Sequence, residues 1–340
     1  MGVVQQRLVA ALNGLYGIDV VSLGRIEAGT ATDNYVASGR AGRRWFVKVY
    51  RDPRTLPSEL KAIELAMFAR AGGVPVPAVL HTLGGELVAA LTDESAVSLW
   101  DYIDDAVTAE GELRGARWAA VGTVLGRLHR CLADHPAAAS VQQPATRLRD
   151  LEQTRSHFDW LIAQYQVRPE LNEFETWALQ ALQYRRALLP AIAGILQALP
   201  ELITQIVHGD LASPNLLLRG DQVAAVVDFQ PPRPRFVSWE IARIACDPRT
   251  VMLGDEWRAG LPDLLAGYRA ENPSVALDDL ACTVAVGCAY TVSSSYPLAV
   301  PIHNPGVVHP TLQAYARARH DAALRMLAVL DVNPPLRHLP

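Results

Sequence analysis

The chain has 340 residues, enough to bury a substantial core and to hold two domains. Half of the residues are hydrophobic, yet mean hydropathy is only +0.10 and no apolar run reaches the ~18 residues of a membrane span. The net charge of −4, with arginines and acids interspersed, offers no basic field for nucleic acid.

The opening residues, MGVVQQRLVAALNGLYGI, have the period of an amphipathic helix and lack the basic flank and small-residue cleavage site of a secretion signal. Residues 23–39, LGRIEAGTATDNYVASG, read as two strand-like arms around a tip of small and polar residues. The next segment, RRWFVKVY at 43–50, alternates as a strand and centres on Lys48. Lys48 and Lys61 are the only lysines, so 29 of the 31 basic residues are arginines. A chain that uses arginine for almost every cation has a lysine here. A compact point charge suits the phosphates of a nucleotide where a planar guanidinium does not; the alternative is a solubilising residue on an edge strand.

A helix is expected from about Pro57 to Ala71, with Leu60, Ile63, Met67 and Ala71 as its buried stripe and a GGVPVP exit. It carries two glutamates, Glu59 and Glu64. Residues 86–94, ELVAALTDE, read as a strand, and 113–133 as an amphipathic helix ending LGRLHR, in which His129 is a packed structural histidine. Two further helices are expected at 146–166 and 171–198, with Pro190 kinking or breaking the second. ACTVAVGCAYTV at 281–292 reads as a buried helix, and a final helix spans about His309 to Leu330. Cys131, Cys246, Cys282 and Cys288 show no CxxC pairing and sit among apolar residues, as reduced thiols of a cytoplasmic protein do. No metal-ligand spacing joins His303 and His309 to a third ligand.

The segment with the most chemical content is IVHGDLASPNLLLRGDQVAAVVDFQ, residues 206–230. It reads as a short strand into IVHGD, a loop, a strand at NLLLR, a tight turn at RGDQ and a strand at VAAVVDF. Two adjacent strands thereby deliver Asn215 and Asp228 to one end of a small sheet, with Asp210 arriving beside them from the loop. Mg2+ takes hard oxygen ligands and retains several waters, so an amide oxygen and a carboxylate, completed by substrate phosphates, suit it. A further carboxylate free of metal can accept the proton of an attacking hydroxyl. The plainer alternative is a hairpin in which Asp210 and Asn215 bond backbone amides.

The HGDxxxxN motif and the later Asp-Phe resemble the catalytic loop and metal strand of the aminoglycoside phosphotransferase and choline kinase group, which has a protein-kinase-like fold. The resemblance implies an α+β, bilobal chain. Residues 1–94 would form a nucleotide-binding lobe of antiparallel sheet plus helix. Residues 95–340 would form a larger, mostly helical catalytic lobe with a helical insertion at about 134–205. It implies Asp210 as the base, His208 as the prop of its loop, and Asn215 and Asp228 as the magnesium ligands. On the nucleotide side it implies Lys48 oriented by Glu64, a covering loop with Gly29, Thr30 and Asn34, and a hinge strand at 86–94 carrying Ala90 and Thr92. The donor would be ATP or GTP and the acceptor a hydroxyl of a small molecule.

Protein kinases switched by phosphorylation have Arg where this chain has Gly209, and no DFG glycine or APE follows Asp228 here. These departures point away from protein acceptors. Residues 134–206 contain eight acids against six arginines, and 229–340 ten against ten, too even for a polycation trap. A neutral or weakly charged antibiotic, such as a nucleoside or peptide, fits better than an aminoglycoside. A metabolite kinase of homoserine or choline type is the alternative. A carboxylate acceptor would require arginines such as Arg233 and Arg235, and His303 lies in a loop that could roof the cleft. A pseudokinase module is the alternative of another class. Glu240, in SWEIA, is expected to anchor the catalytic loop. Monomer and homodimer are both open.

Overall fold

The computed structural model describes residues 3–26, 32–92 and 95–330. The first lobe comprises α1 (Val3–Tyr16), β1 (Val20–Ile26), β2 (Thr32–Gly39), β3 (Arg44–Tyr50), α2 (Leu56–Ala71), β4 (Val79–Leu80), β5 (Ala89–Thr92) and β6 (Ser95–Asp101). Its strands are all antiparallel, in the order β1-β2-β3-β6-β4, with β5 also paired to β6. Strand register sets Lys48 between Asn34 on β2 and Ser98 on β6. Leu12, Val47 and Leu99, none of them exposed, join α1 to the sheet, and Tyr16 reaches across to donate its hydroxyl to Val97 O at 3.1 Å.

Two expectations are corrected here. The last strand of the first lobe is not the 86–94 segment expected as the hinge but β6, paired with β3, so the sheet runs past residue 94 to Asp101 and the second lobe's first strand follows at Val107. The reason is burial on both faces: Ala96, Val97, Ser98 and Leu99 form a continuous buried run, which suits an interior strand better than the alternating ELVAALT. Ala90 and Thr92 therefore lie on the short outer strand β5, with Ala90 exposed. The second correction concerns α2, whose buried face is Ala62, Ile63, Leu65, Ala66 and Ala69; Leu60 and Met67 are half-buried and Ala71 is exposed. That rotation puts Glu59, three and four residues before Ala62 and Ile63, on the inner face and leaves Glu64 in solvent.

The second lobe begins with β7 (Val107–Thr108) and α3 (Arg117–Ala133). β8 (Val141–Pro144), α4 (Leu151–Gln166), α5 (Glu173–Ala198) and β9 (Glu201–Ile206) follow. The stretch expected as a helical insertion contains two helices bracketed by a strand pair, since β8 pairs with β9. α5 continues through Pro190, with the buried Leu188, Leu189 and Ile192 packing on either side of it. Next come β10 (Leu216–Arg219), β11 (Gln222–Val226), β12 (Pro234–Phe236), α6 (Val237–Ala245), α7 (Pro248–Val251), α8 (Asp255–Glu271), α9 (Leu277–Ala281), α10 (Thr283–Val292), α11 (Val300–His303) and α12 (Pro310–Val329). The small sheets β11-β10-β7 and β12-β9-β8 carry the loops between 206 and 234. No helix among the described residues is long and apolar enough to cross a membrane.

The centre of this lobe is the contact of α3 with α8, which is unusually close because both helices present glycines to it. A Cβ on Gly122 would stand 1.9 Å from Leu264 O, and one on Gly126 would stand 2.3 Å from Tyr268 O. α3 is thereby fixed with His129 buried under the loop that follows β9.

Candidate active site

β9 ends at Ile206, and the chain turns through Val207, His208 and Gly209 before Asp210. Gly209 has a φ of 91°, and a Cβ there would meet Gln230 Cβ at 2.8 Å, so this turn requires glycine. A single 3-10 turn, Ser213–Asn215, leads into β10. Asn215 closes the loop by donating its Nδ2 to Asp210 O at 2.9 Å. Antiparallel pairing of β10 with β11 then brings Asp228 to the same end, with Val227 N donating to Asn215 O at 3.0 Å. Asp228 has a φ of 64°, in the left-handed region that costs a non-glycine residue energy and clusters at functional sites.

That backbone twist sends the Asp228 carboxylate across the lobe boundary. Lys48 Nζ donates to Asp228 Oδ1 at 2.9 Å, although 180 residues separate them. The second partner of Lys48 is Glu59, at 3.7 Å. The pairing expected with Glu64 is not formed, for the reason visible in α2: Glu64 faces away. Burial opposes the Lys48 charge, but Asp228, with Tyr50 and Glu59 behind it, outweighs burial and holds the ammonium above its ordinary value.

The loop hangs on a buried carboxylate. Glu240, with no exposure, accepts from His208 N at 2.9 Å and Gly209 N at 2.8 Å, and its Oε2 also lies 3.0 Å from His129 Nε2. Burial pushes the Glu240 carboxyl up, yet the hydrogen bonds and charge of its partners prevail and hold it below the ordinary carboxylate value. His208 is fully buried, and burial pulls its imidazole below the ordinary histidine value. Its Nε2 lies 2.9 Å from Val227 O, which can only accept, while Nδ1 accepts from Asp210 N at 3.3 Å. The ring is thus the neutral Nε2–H tautomer. It links the two halves of the 206–230 segment and touches no open space.

Sequence reasoning missed Arg243. From α6 it donates Nη2 to Asp210 Oδ1 at 2.5 Å and Nε to Leu211 O at 3.0 Å. The signal was present: Arg243 is the one cation in the apolar run VSWEIARIA, three residues after Glu240 and hence on the same face. Of the other candidates, Asn34 lies beside Lys48, whereas Gly29 and Thr30 fall outside the described residues. Arg235, on β12, lies 5.6 Å over the Trp239 ring, with Arg233 just before that strand. His303 on α11 stacks with His157 and Trp160 of α4, in a separate aromatic patch.

Chemically, this arrangement joins a charged lysine, an exposed carboxylate, an amide held by the same loop and a second carboxylate with one oxygen committed to an arginine. Among the described residues no three acidic, histidine or cysteine side chains converge to cage a metal. A magnesium ion shared with nucleotide phosphates does not need such a cage, and the Asp228 and Asn215 oxygens are ligands of the kind it prefers.

Residues 22–276 match the model of the phosphotransferase enzyme family, APH. The chain belongs to that family. The spectinomycin phosphotransferase APH(9)-Ia, solved with ADP and spectinomycin, superposes with a TM-score of 0.71 at 14% identity, covering 95% of this chain and 98% of its own. Amicoumacin kinase hAmiN, solved with AMP-PNP and Ca2+, gives 0.61 at 16% identity, covering 94% and 93%. A choline/ethanolamine kinase family protein from Mesorhizobium loti gives 0.56 at 16% identity, covering 96% of each chain. These likenesses establish the bilobal, protein-kinase-like fold of this APH chain. No curated protein matches it in sequence.

Proposed function

We propose that this APH-family chain is an ATP-dependent O-phosphotransferase, with GTP as the alternative donor, that modifies a hydroxyl of a small antibiotic. The observation that carries the reading is the 2.9 Å contact between Lys48 and Asp228, which joins the nucleotide side of one lobe to the HGDxxxxN loop of the other. Lys48, oriented by Glu59, holds the nucleotide phosphates. Asn34 stands beside them on β2. Asn215 and Asp228 hold magnesium, which when bound neutralises charge on the transferring phosphoryl group.

Asp210 orients the acceptor hydroxyl and receives its proton. The acceptor oxygen bonds to the γ-phosphorus as the bond from that phosphorus to the bridging oxygen breaks, and the nucleoside diphosphate leaves with the electron pair. His208 and Glu240 keep Asp210 in place without touching the reactants. Catalysis on this scheme comes from positioning and charge neutralisation. The spectinomycin and amicoumacin enzymes named above support an antibiotic as acceptor, and the reaction is assigned to the cytoplasm, where ATP is supplied.

The test is magnesium-dependent transfer from labelled ATP and GTP to a panel of hydroxylated antibiotics and amino-alcohols, with protein and small-molecule fractions separated. Label in the small-molecule fraction, lost in Asp210→Asn while magnesium–nucleotide binding persists, is the expected result. Label confined to protein, or full activity in Asp210→Asn, would sink the proposal.

A further inference from the structure

A wall of alternating arginine and aromatic side chains begins at Asp210 and runs across three helices. Arg243, bonded to Asp210, shares the indole of Trp239 with Arg235; the two guanidinium carbons lie 5.1 and 5.6 Å from the ring centre. Trp239 packs edge-on against Tyr290 of α10 at 5.9 Å. The Tyr290 ring lies beneath Arg319 of α12 at 5.3 Å, and Arg319 donates Nη1 to the hydroxyl of Tyr315 at 3.3 Å. Each contact joins the next, so the side chains form one connected row and not a scatter.

Its charges are not balanced from within. Arg243 is neutralised by Asp210, and Arg249, which covers Tyr315, by Glu110 at 2.9 Å. Among the described residues Arg235 and Arg319 have no carboxylate partner, and neither does Arg233. Arg319 is only 6% exposed, and its Nε lacks any hydrogen-bond partner among those residues. The acid that faces it electrostatically, Asp247, is itself 5% exposed and already accepts from Arg249 N at 2.9 Å. Burial opposes the Arg319 charge and the Tyr315 and Tyr290 hydroxyls offset it, holding the guanidinium above its ordinary value, but neither tyrosine is an anion and the unpaired buried Nε remains a cost. That cost is relieved if an anion enters from outside, and a planar guanidinium fork suits a carboxylate or phosphate.

We propose that the acceptor is a hydroxylated anion, bearing a carboxylate or a phosphate, whose charged group lies against Arg319 and Arg235 while its hydroxyl reaches Asp210. This rests on the phosphotransferase reading above and sharpens its acceptor class: a polycation would meet like charge along the same wall. The aromatic members, Trp239 and Tyr290, supply the flat apolar surface on which the body of the acceptor lies.

The test is calorimetric titration of the magnesium–ADP-loaded protein at low ionic strength with four probes on one six-carbon frame: glucosamine, glucose, gluconate and glucose 6-phosphate. At least one of the two anions is expected to bind ten-fold or more tightly than glucose, with gluconate and glucose 6-phosphate separating a carboxylate site from a phosphate site. Arg235→Gln and Arg319→Gln are each expected to weaken that anion at least five-fold. If Arg319→Gln does not fold, the more exposed Arg235→Gln decides. Tighter binding of glucosamine, no binding of either anion, or anion affinity unchanged in the variants overturns the inference. So does loss of magnesium–ADP affinity in Arg235→Gln, which would place that arginine on the nucleotide. Failure of the wild-type protein to bind magnesium–ADP at all would instead count against the phosphotransferase reading itself.

Discussion

Arg243 holds one oxygen of Asp210 at 2.5 Å, while the Asp210 side chain stays 45% exposed. The carboxylate is thereby fixed in one rotamer by a residue of α6 that also grips Leu211 O, so loop and side chain are set together. On the proposed mechanism this is a positioning role, and small misplacements of a reacting group are expensive. Arg243→Ala is expected to lower kcat about ten- to a hundred-fold, with the KM for nucleotide little changed and partial recovery in Arg243→Lys. Steady-state kinetics with separately varied donor and acceptor would check it; a change confined to nucleotide KM would contradict it.

The partner of Lys48 is Glu59, at 3.7 Å, while Glu64 is exposed. Glu59→Gln should reduce kcat/KM for the nucleotide about ten-fold, because the lysine loses the group that aims it at the phosphates. Glu64→Gln should fall within about two-fold of wild type, as exposed surface charges do. Reversed outcomes in nucleotide-dependence kinetics would return the role to Glu64.

Glu240, fully buried, receives two backbone amides and lies against His129. Glutamine at 240 keeps the shape but turns an amide N–H towards one of those donors. Stability should drop by about 1–3 kcal/mol, read from urea unfolding.

Acid should destabilise the wild-type protein in two stages. His208 titrates below its ordinary value of 6.5 in the fold, so as pH falls past 6.5 the unfolded chain binds a proton that the native imidazole refuses. Glu240 is also held down, so its share of stability is complete above 4.5 and is lost as pH falls through its lowered native value. Melting temperature measured from pH 8 to pH 4 should therefore decline from about 6.5 downward. The later stage should shrink in Glu240→Gln; a flat profile would refute the assignment of a neutral buried His208.

The contact of α3 with α8 makes a packing prediction independent of the chemistry. Gly126→Ala places a methyl 2.3 Å from Tyr268 O, a backbone atom that cannot rotate aside. Overpacking of this kind costs about 1–3 kcal/mol. Because α3 carries His129 to Glu240, the same variant should also lower activity, and urea titration alongside turnover would reveal both.

Much of the site was legible in the linear chain because its spacing is local. His208, Asp210, Asn215 and Asp228 belong to one strand–loop–hairpin unit, and Lys48 was conspicuous as one of two lysines among 29 arginines. The helices α3, α4, α5 and α12 followed from apolar period. The hinge was misplaced because ELVAALTDE and SAVSLWD are both strand-like, and only pairing with β3 distinguishes the interior strand from the outer one. Glu64 was preferred to Glu59 because a stripe read from Leu60, Ile63 and Met67 is rotated from the face that α2 buries.

What the sequence by itself determined was the set of reactive groups and their local order, since turns, strand alternation and glycine requirements act over a few residues. What only the tertiary structure decided was which groups meet. Lys48 reaches Asp228 across 180 positions, Glu240 gathers His129, His208 and Gly209, and Arg243 lies against Asp210, while Arg319 Nε has no hydrogen-bond partner among the described residues. Those choices depend on how far each helix is rotated about its axis and how closely α3 approaches α8, and both are set by packing summed over the whole core.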